Sequence, residues 1–299
     1  MPHFSLSFEP SVKRESTPLV LRCLLDRFPI IIYGEDSSLL DDLACVLIKF
    51  LPNRQERIFW VDFATSEEYS SILDKERQDT ESPRSVIRVP CLASKHAFNG
   101  YTDFQGWIIP VSKASSSFSE CIDYVKSHNP RFLLINICGE SKKTELVTTG
   151  ANPDLDLSFE RDLITRIEEE SFVSLEKVKR VLKKKVYGSN ISHSFSSTLL
   201  NFDVEKINLQ ESLFNSQIFM FVNACKRALY LLTRLNLITQ FNIEGTISEK
   251  TLLDTIQFQK ASGSRILDFI YSEWGLRFHD HIRRGKLSAL GDIIDGLWG

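Results

Sequence analysis

Apolar runs of strand length alternate with helical patterns over the first half of the chain. Residues 29–33 form a short run rich in β-branched side chains, which is typical of a strand buried on both faces. Apolar side chains then recur at three- and four-residue spacing over 39–51, which predicts an amphipathic helix ending near Pro52. The same reasoning predicts strands over 57–63, 85–89, 107–111 and 132–137, and helices over 65–73 and 118–125.

This alternation of strands and helices predicts the fold class. Consecutive parallel strands need crossover connections, which are right-handed and place helices on the faces of the sheet. We therefore expect an α/β fold with a mostly parallel sheet flanked by helices, as in a RecA-like or Rossmann-like three-layer sandwich.

The pattern changes after Gly139, where residues 139–158 are polar and lack periodicity, which indicates a linker or an exposed loop. We predict an α/β domain over 1–145, a linker over 146–159 and a mainly helical domain over 160–299. Helical periodicity in the last part covers 159–169, 175–182, 211–235, 266–275 and 287–297, and Thr246 with Glu249 matches a capping box.

Composition is that of a globular protein, with 42% hydrophobic and 25% charged residues among 299. The net charge of −3 favours neither a polyanion nor a membrane surface as a general partner. Six scattered cysteines without a CxxC spacing predict reduced core thiols rather than disulfides or metal ligands. With neither a leader-like apolar segment nor a run of about 20 apolar residues, we expect a cytoplasmic protein with no membrane span.

The strand, the turn at Gly34 and the helix that follows form the context in which a phosphate-binding P-loop is sought. When the pattern G-x-x-x-x-G-K-[ST] is aligned from Gly34, its second glycine falls on Leu39. The lysine position is Leu40 and the magnesium-binding hydroxyl is Asp41, so each of these positions departs from the pattern. A side chain at Leu39 obstructs the close approach of backbone N–H groups to phosphate, and Leu40 supplies no cation.

Charge in the same turn also opposes phosphate binding. Carboxylates there can satisfy the N-terminus of the helix themselves and repel a triphosphate. We therefore expect no bound nucleotide and no other cofactor. The four acidic residues are Glu35, Asp36, Asp41 and Asp42.

The segments 30–34, 57–68 and 125–136 resemble parts of the KaiC/RecA-type ATPase domain. They are similar to its first strand and turn, to its second strand with the helix start after it, and to its Walker B region. The resemblance covers roughly residues 15–140 and implies a RecA-like fold. The water-activating glutamates of that family would fall on Ala64 and Thr65, and its metal-linked aspartate on Asn136, so the resemblance implies a domain without ATPase activity.

Two other interpretations of the first half stay open. One is an unrelated doubly wound domain in which Gly34 only ends a strand. The other is a receiver-like domain in which Glu35 and Asp36 bind magnesium, Asp62 accepts phosphate and Lys113 is its partner.

The second half carries a run of basic residues that can contact nucleic-acid phosphates. The alternative is a solvated helix face, because acidic residues at 168–170 and 176 dilute the local field. The run consists of Lys177, Lys179, Arg180, Lys183, Lys184 and Lys185.

Three weaker signals lie further along. Residues 228–239 resemble the end of a winged-helix recognition helix. Residues 244–278 are similar to the small helical modules of secretion and pilus-assembly ATPases, or form a plain helical hairpin. His279 and His281 are two residues apart and face different sides of a helix, which favours a solvated turn over a metal site.

The sequence therefore predicts a non-catalytic scaffold or regulatory protein that acts through contacts with a protein partner. A nucleic-acid-binding regulator that uses the basic run and a winged-helix unit is the first alternative. An enzyme with a divalent ion at the acidic turn 35–42 is the second.

Overall fold

The computed structural model describes residues 12–62, 65–114, 118–139, 142–149, 155–186, 202–241, 243 and 245–283. Contacts divide the chain into two compact units. The first comprises residues 1–73 and 83–219, and the second comprises 74–82 and 220–299.

A six-stranded sheet forms the centre of the first unit, in the order β2-β3-β4-β1-β5-β6. The first five strands in the sequence run parallel, and β6 pairs antiparallel with β5. The strands are β1 (Ile30–Gly34), β2 (Gln55–Ile58), β3 (Ser85–Arg88), β4 (Trp107–Ser112), β5 (Arg131–Asn136) and β6 (Lys143–Thr148).

Helices cover both faces of this sheet, which confirms the predicted α/β class with a mostly parallel sheet. Those that begin in the first unit are α1 (Thr17–Leu25), α2 (Ser37–Lys49), α3 (Ser66–Gln78), α4 (Ser94–Gly100), α5 (Phe118–His128), α6 (Ser158–Val186) and α7 (Asp203–Thr239). Among the described helices, none combines the length and apolar character that a bilayer span requires.

Strand β1 is buried along its whole length, because its side chains alternate between two covered faces. Ile31 and Tyr33 join an aromatic core under α3, α4 and α5. In that core the indole N–H of Trp107 donates to the Tyr69 hydroxyl at 3.0 Å, so the buried polar atoms of both rings are satisfied.

The interpretation of residues 139–158 as a loop is wrong for 143–148, which form the edge strand β6. Its side chains are half-buried apart from the exposed Lys143, and charged residues on an edge strand discourage pairing with another chain. Because of those charges the segment lacks the apolar pattern by which the other strands were predicted. Leu146 and Val147 nevertheless pair with the buried Leu133 and Phe132.

Helix α6 is one continuous helix where two were predicted. The serine at its centre does not break it, because the buried Ser171 hydroxyl donates to the backbone oxygen of Glu168 and accepts from Gln210 of α7. The sequence pattern predicts α6 in a separate C-terminal domain, whereas the helix packs against α1 within the first unit. Arg14, just before α1, pairs with Glu168 at 2.6 Å.

The second unit contains the end of α7, then β7 (Ile247–Ser248), α8 (Glu249–Thr255), α9 (Gly263–Trp274) and β8 (Ile282–Arg283). Strands β7 and β8 pair in parallel. The predicted capping box at Thr246 is wrong, since the Ser248 hydroxyl accepts from the backbone of Thr251 and caps α8. The Glu249 carboxylate instead accepts from the backbone N–H of Gly263 at 2.6 Å, at the start of α9.

Candidate functional site

The carboxyl edge of the parallel sheet is the first place to look for a site. In open α/β sheets, ligands bind beyond the carboxyl ends of the strands, where the order of strands reverses. Strands β2, β3 and β4 lie on one side of β1 in the sheet, and β5 lies on its other side. The order of strands therefore reverses at β1. The turn after β1 is therefore the position at which phosphate would be expected.

That turn is closed by side chains. A Cβ placed on Gly34 would lie 2.8 Å from Cγ1 of Ile137 and 2.9 Å from Cδ2 of Leu40, so no room remains above the glycine. Leu40, at the lysine position of the aligned pattern, is fully buried. Leu39, at the second glycine position, is 46% exposed.

The N-terminus of α2, which would receive an anion in a P-loop, carries an anion of its own. Oδ1 of Asp36 accepts hydrogen bonds from the backbone N–H groups of Ser38 at 2.9 Å and Leu39 at 3.4 Å. This is the N-cap arrangement that the acidic turn led us to expect, and it uses the N–H groups that phosphate would need.

Two further carboxylates of the acidic turn have partners elsewhere. Oδ1 of Asp41 accepts from the backbone N–H of Cys91 at 2.8 Å, and Glu35 pairs with Lys113 at 3.3 Å on the surface. Burial and, secondarily, the Asp41 carboxylate raise the pKa of the Cys91 thiol. Because these carboxylates point to separate partners, the arrangement does not favour a divalent ion at 35–42. Over the described ranges, no three His, Cys, Asp or Glu side chains converge as a metal site.

The positions aligned with catalytic residues of RecA-type domains have structural roles where they are described. The Thr65 hydroxyl accepts from the Glu68 N–H and the Glu68 carboxylate accepts from the Thr65 N–H, both at 3.2 Å, which forms a capping box for α3. The Asn136 side chain accepts from the Cys138 N–H at 2.9 Å. Ala64 lies outside the described residues.

The receiver-like interpretation is wrong. Receiver domains share the flavodoxin-like strand order 2-1-3-4-5, whereas β1 here lies between β4 and β5. The supposed phosphoacceptor Asp62 follows the outer strand β2 and accepts from the N–H of Ile58. Its supposed partner Lys113 pairs with Glu35 instead.

Sequence reasoning missed the most unusual residue of this edge. Trp60, just after β2, has a φ of 74°, in the left-handed region that bulky side chains rarely adopt. The residue is 50% exposed, and the centre of its ring lies 4.8 Å from that of His96 and 6.1 Å from that of Phe59. Phe59 itself is 2% exposed and belongs to the aromatic core. The turn thus separates a buried ring from an outward-facing one.

Other apolar side chains are exposed in the segments that follow the carboxyl ends of the strands. Val61 is 74% exposed and Leu92, in the 3₁₀ turn Cys91–Ala93 after β3, is 82% exposed. We call Leu39, Trp60, Val61 and Leu92 the edge surface.

Charges flanking the edge surface are mostly negative. Lys95 and Lys113 are the exposed lysines of these segments, and they are outnumbered by exposed carboxylates. The carboxylates belong to Glu35, Asp36, Asp42, Asp62, Glu67 and Glu68.

The basic run lies on the C-terminal half of α6 and does not form a single face. Lys177 and Arg180 are exposed, are three residues apart and share one side of the helix. Lys183 is also exposed and lies three residues beyond Arg180, about 120° around the helix from Lys177. Lys179 is half-buried and pairs with Glu176 at 3.6 Å. Lys184 and Lys185 continue the helix, and their side chains lie outside the described part.

The second unit offers little cationic surface to a nucleic acid on α9. The one basic residue of this helix, Arg265, is 1% exposed and its guanidinium lies 5.1 Å from the Phe221 ring. His279 and His281 fall in a 3₁₀ turn, and Nδ1 of His281 is 2.9 Å from the backbone oxygen of Gly245. Both histidines therefore belong to a turn, and His281 contributes to its stability.

Comparison with protein-family models, with curated protein sequences and with solved structures finds no match to this chain.

Proposed function

We propose that the protein is a non-catalytic scaffold or regulatory protein that binds a protein partner on its edge surface. The observation that carries this proposal is Trp60, half-exposed in a left-handed backbone conformation at the sheet edge where α/β proteins bind ligands. Residues kept in costly conformations concentrate at functional sites, because the cost persists only where the surroundings impose it.

The same edge supports a docking role better than a catalytic one. Gly34 is packed shut and Asp36 occupies the start of α2, so neither the space nor the N–H donors for a phosphate remain. Exposed Trp and neighbouring apolar side chains with a polar rim are the composition of protein-binding hot spots. Trp60, Val61 and Leu92 with their surrounding carboxylates fit that description.

A RecA-like ancestry is the origin that we propose for this frame. The proposal is supported by strand β1 lying between β4 and β5, an order that differs from both the Rossmann and the flavodoxin-like orders. In this proposal the fold was retained for its surfaces while the phosphate-binding turn was filled by Leu40 and Ile137.

For the second unit we propose a winged-helix-like arrangement that also serves protein contact. The succession of α7, β7, α8, α9 and β8, with β7 and β8 paired, supports it. The burial of Arg265 argues for protein rather than nucleic acid as the ligand of α9, because base and phosphate readout by a helix requires exposed cations.

Photo-crosslinking combined with a thermal-shift measurement tests the proposed function. The crosslinking amino acid p-benzoylphenylalanine is placed at Val61 in the native host, with an equivalent placement at the exposed Lys49, the last residue of α2, as the matched control. We expect protein adducts from position 61 and none from position 49, and loss of the adduct when Trp60→Ala is added.

Magnesium-ATP is the second arm of the same experiment. A ligand at 100 times its dissociation constant stabilises the folded state by about 2.7 kcal/mol, and we expect no such shift. Equal adducts from both positions, or a clear ATP-dependent shift, would contradict the proposal.

A further inference from the structure

We propose that the occupant of the edge surface is helix α6 of a second copy of this chain, so that copies associate head to tail. This inference rests on the proposed function, because it names the partner of the same surface.

A second exposed surface lies on helix α6, and it combines apolar side chains with basic ones. Val173 and Val181 are 49% and 57% exposed, and the exposed Lys177 and Arg180 lie between them in the sequence. At 100° per residue these four side chains fall within about 100° of the helix circumference. We call Val173, Lys177, Arg180 and Val181 the α6 stripe.

Neither cation of the α6 stripe is neutralised within the described part of the chain. No carboxylate there lies within ion-pair distance of Lys177 or Arg180, whereas the neighbouring Lys179 pairs with Glu176. Two exposed valines beside two cations without an ion pair in the described chain form a surface that fits a partner both apolar and acidic.

The edge surface has those two properties. Its Trp60, Val61 and Leu92 supply apolar area, and carboxylates such as Asp62 and Glu67 flank it. Opposite charges around matching apolar patches steer association and select the register of a complex. Both halves of this complementary pair are present on every copy of the chain, which is why we assign the occupant to a second copy.

The two surfaces are different, so the contact is heterologous rather than two-fold symmetric. Such a contact leaves one edge surface and one α6 stripe unused at the ends of every open assembly. It therefore predicts either a closed ring or an assembly whose size rises with concentration.

Sedimentation velocity on the full chain tests this, over about 1–100 µM protein. We expect the wild type to form dimers and larger species. Trp60→Ala removes the aromatic ring of the edge surface, and Lys177→Glu with Arg180→Glu reverses both charges of the α6 stripe. Each variant alone is expected to associate at least tenfold more weakly.

Mixing the two variants is the decisive measurement. The Trp60→Ala chain keeps its α6 stripe and the charge-reversed chain keeps its edge surface, so a mixture is expected to give a 1:1 dimer that does not grow. A wild type that stays monomeric at the highest concentration, or a mixture that fails to form the dimer, overturns the inference.

Controls separate this contact from general charge effects and from misfolding. Lys49→Glu with Lys126→Glu reverses two exposed lysines outside the α6 stripe and is expected to leave association unchanged. Far-UV circular dichroism of each variant verifies folding. Association is also expected to weaken at about 1 M salt, where the Debye length falls to about 3 Å.

The two proposals fail separately. If the wild type is monomeric while p-benzoylphenylalanine at position 61 crosslinks a different protein, the docking function stands and the second copy is excluded as its partner. If position 61 gives no adduct of any kind, both proposals fall together.

Discussion

Two turns at the same edge of the sheet are constructed in opposite ways. The turn after β1 is closed, with Gly34 in contact with Ile137 and Leu40 and with Asp36 bound to the start of α2. The turn after β2 is open, with Trp60 in a left-handed conformation and half of its ring in solvent.

The polar and apolar groups of the closed turn have their partners within the chain. Its backbone donors bind a carboxylate of the same segment, and its glycine is covered by apolar side chains. A ligand would have to displace Asp36 and open the packing around Leu40 before it could bind. Such a turn contributes stability and little binding.

The open turn does the reverse. It places a large ring in water and keeps it in a conformation that costs an L-residue about 1–2 kcal/mol. Trp60 contacts His96, but its exposed half contacts nothing else in the described chain. This difference is what the proposed function requires, in which a partner binds at the β2 turn and no phosphate binds at the β1 turn.

Among the substitutions that test the contrast between the two turns, Gly34→Ala is expected to change the free energy of unfolding most. The added Cβ would meet Ile137 and Leu40 below 3.0 Å, and overpacking of a core costs about 1–3 kcal/mol. We expect the free energy of unfolding, from urea denaturation followed by circular dichroism, to fall by about that amount.

Gly100→Ala is the matched control, because a Cβ there meets nothing within 4 Å. It is expected to leave stability unchanged or raise it by about 0.4–1 kcal/mol. If Gly34→Ala were tolerated as well as Gly100→Ala, the turn after β1 would be open in solution and the contrast between the turns would disappear.

The parts of the fold that follow from burial could be predicted from the sequence. Strands β1, β4 and β5 are covered on both faces, so their residues are continuously apolar, and α2 has one buried face. Strand β6 could not be found in the same way, because an edge strand pairs on one side only and carries charges.

The closed turn was also accessible to sequence reasoning, and the open turn was not. Leu39, Leu40 and the acidic residues stand at positions where a motif with fixed chemistry can be aligned. By contrast, Phe59, Trp60 and Val61 form one apolar run that predicts a buried strand, and nothing in it indicates a positive φ. Glycine would have signalled the turn, and tryptophan does not.

The second prediction concerns the anion that closes the first turn. Asp36→Ala removes the N-cap of α2 and is expected to lower the free energy of unfolding by about 1 kcal/mol. Asp36→Asn keeps an oxygen acceptor and is expected to retain most of the stability, because Asn caps helices about as well as Asp. Urea denaturation of both variants measures the difference. An equal loss in both would mean that the charge, rather than the hydrogen bonds to Ser38 and Leu39, stabilises the turn.

The smallest expected effect lies in the open turn, where Trp60→Gly is compared with Trp60→Ala. Both variants remove the ring, so they differ only in backbone preference. At a φ of 74° an alanine bears a left-handed penalty of about 1–2 kcal/mol, while glycine loses about 0.5–1 kcal/mol more on folding. The glycine variant is therefore expected to be more stable by about 0.5–1 kcal/mol in urea denaturation.

Leu92 is the control, because it is also exposed, at 82%, but has no positive φ, so the order of the two variants is expected to reverse there. Leu92→Ala is expected to be more stable than Leu92→Gly, since glycine there has only its entropic cost. If alanine were also preferred at position 60, the backbone there would not be left-handed in solution. Trp60 would then not be a residue that is retained for binding although its backbone conformation destabilises the fold.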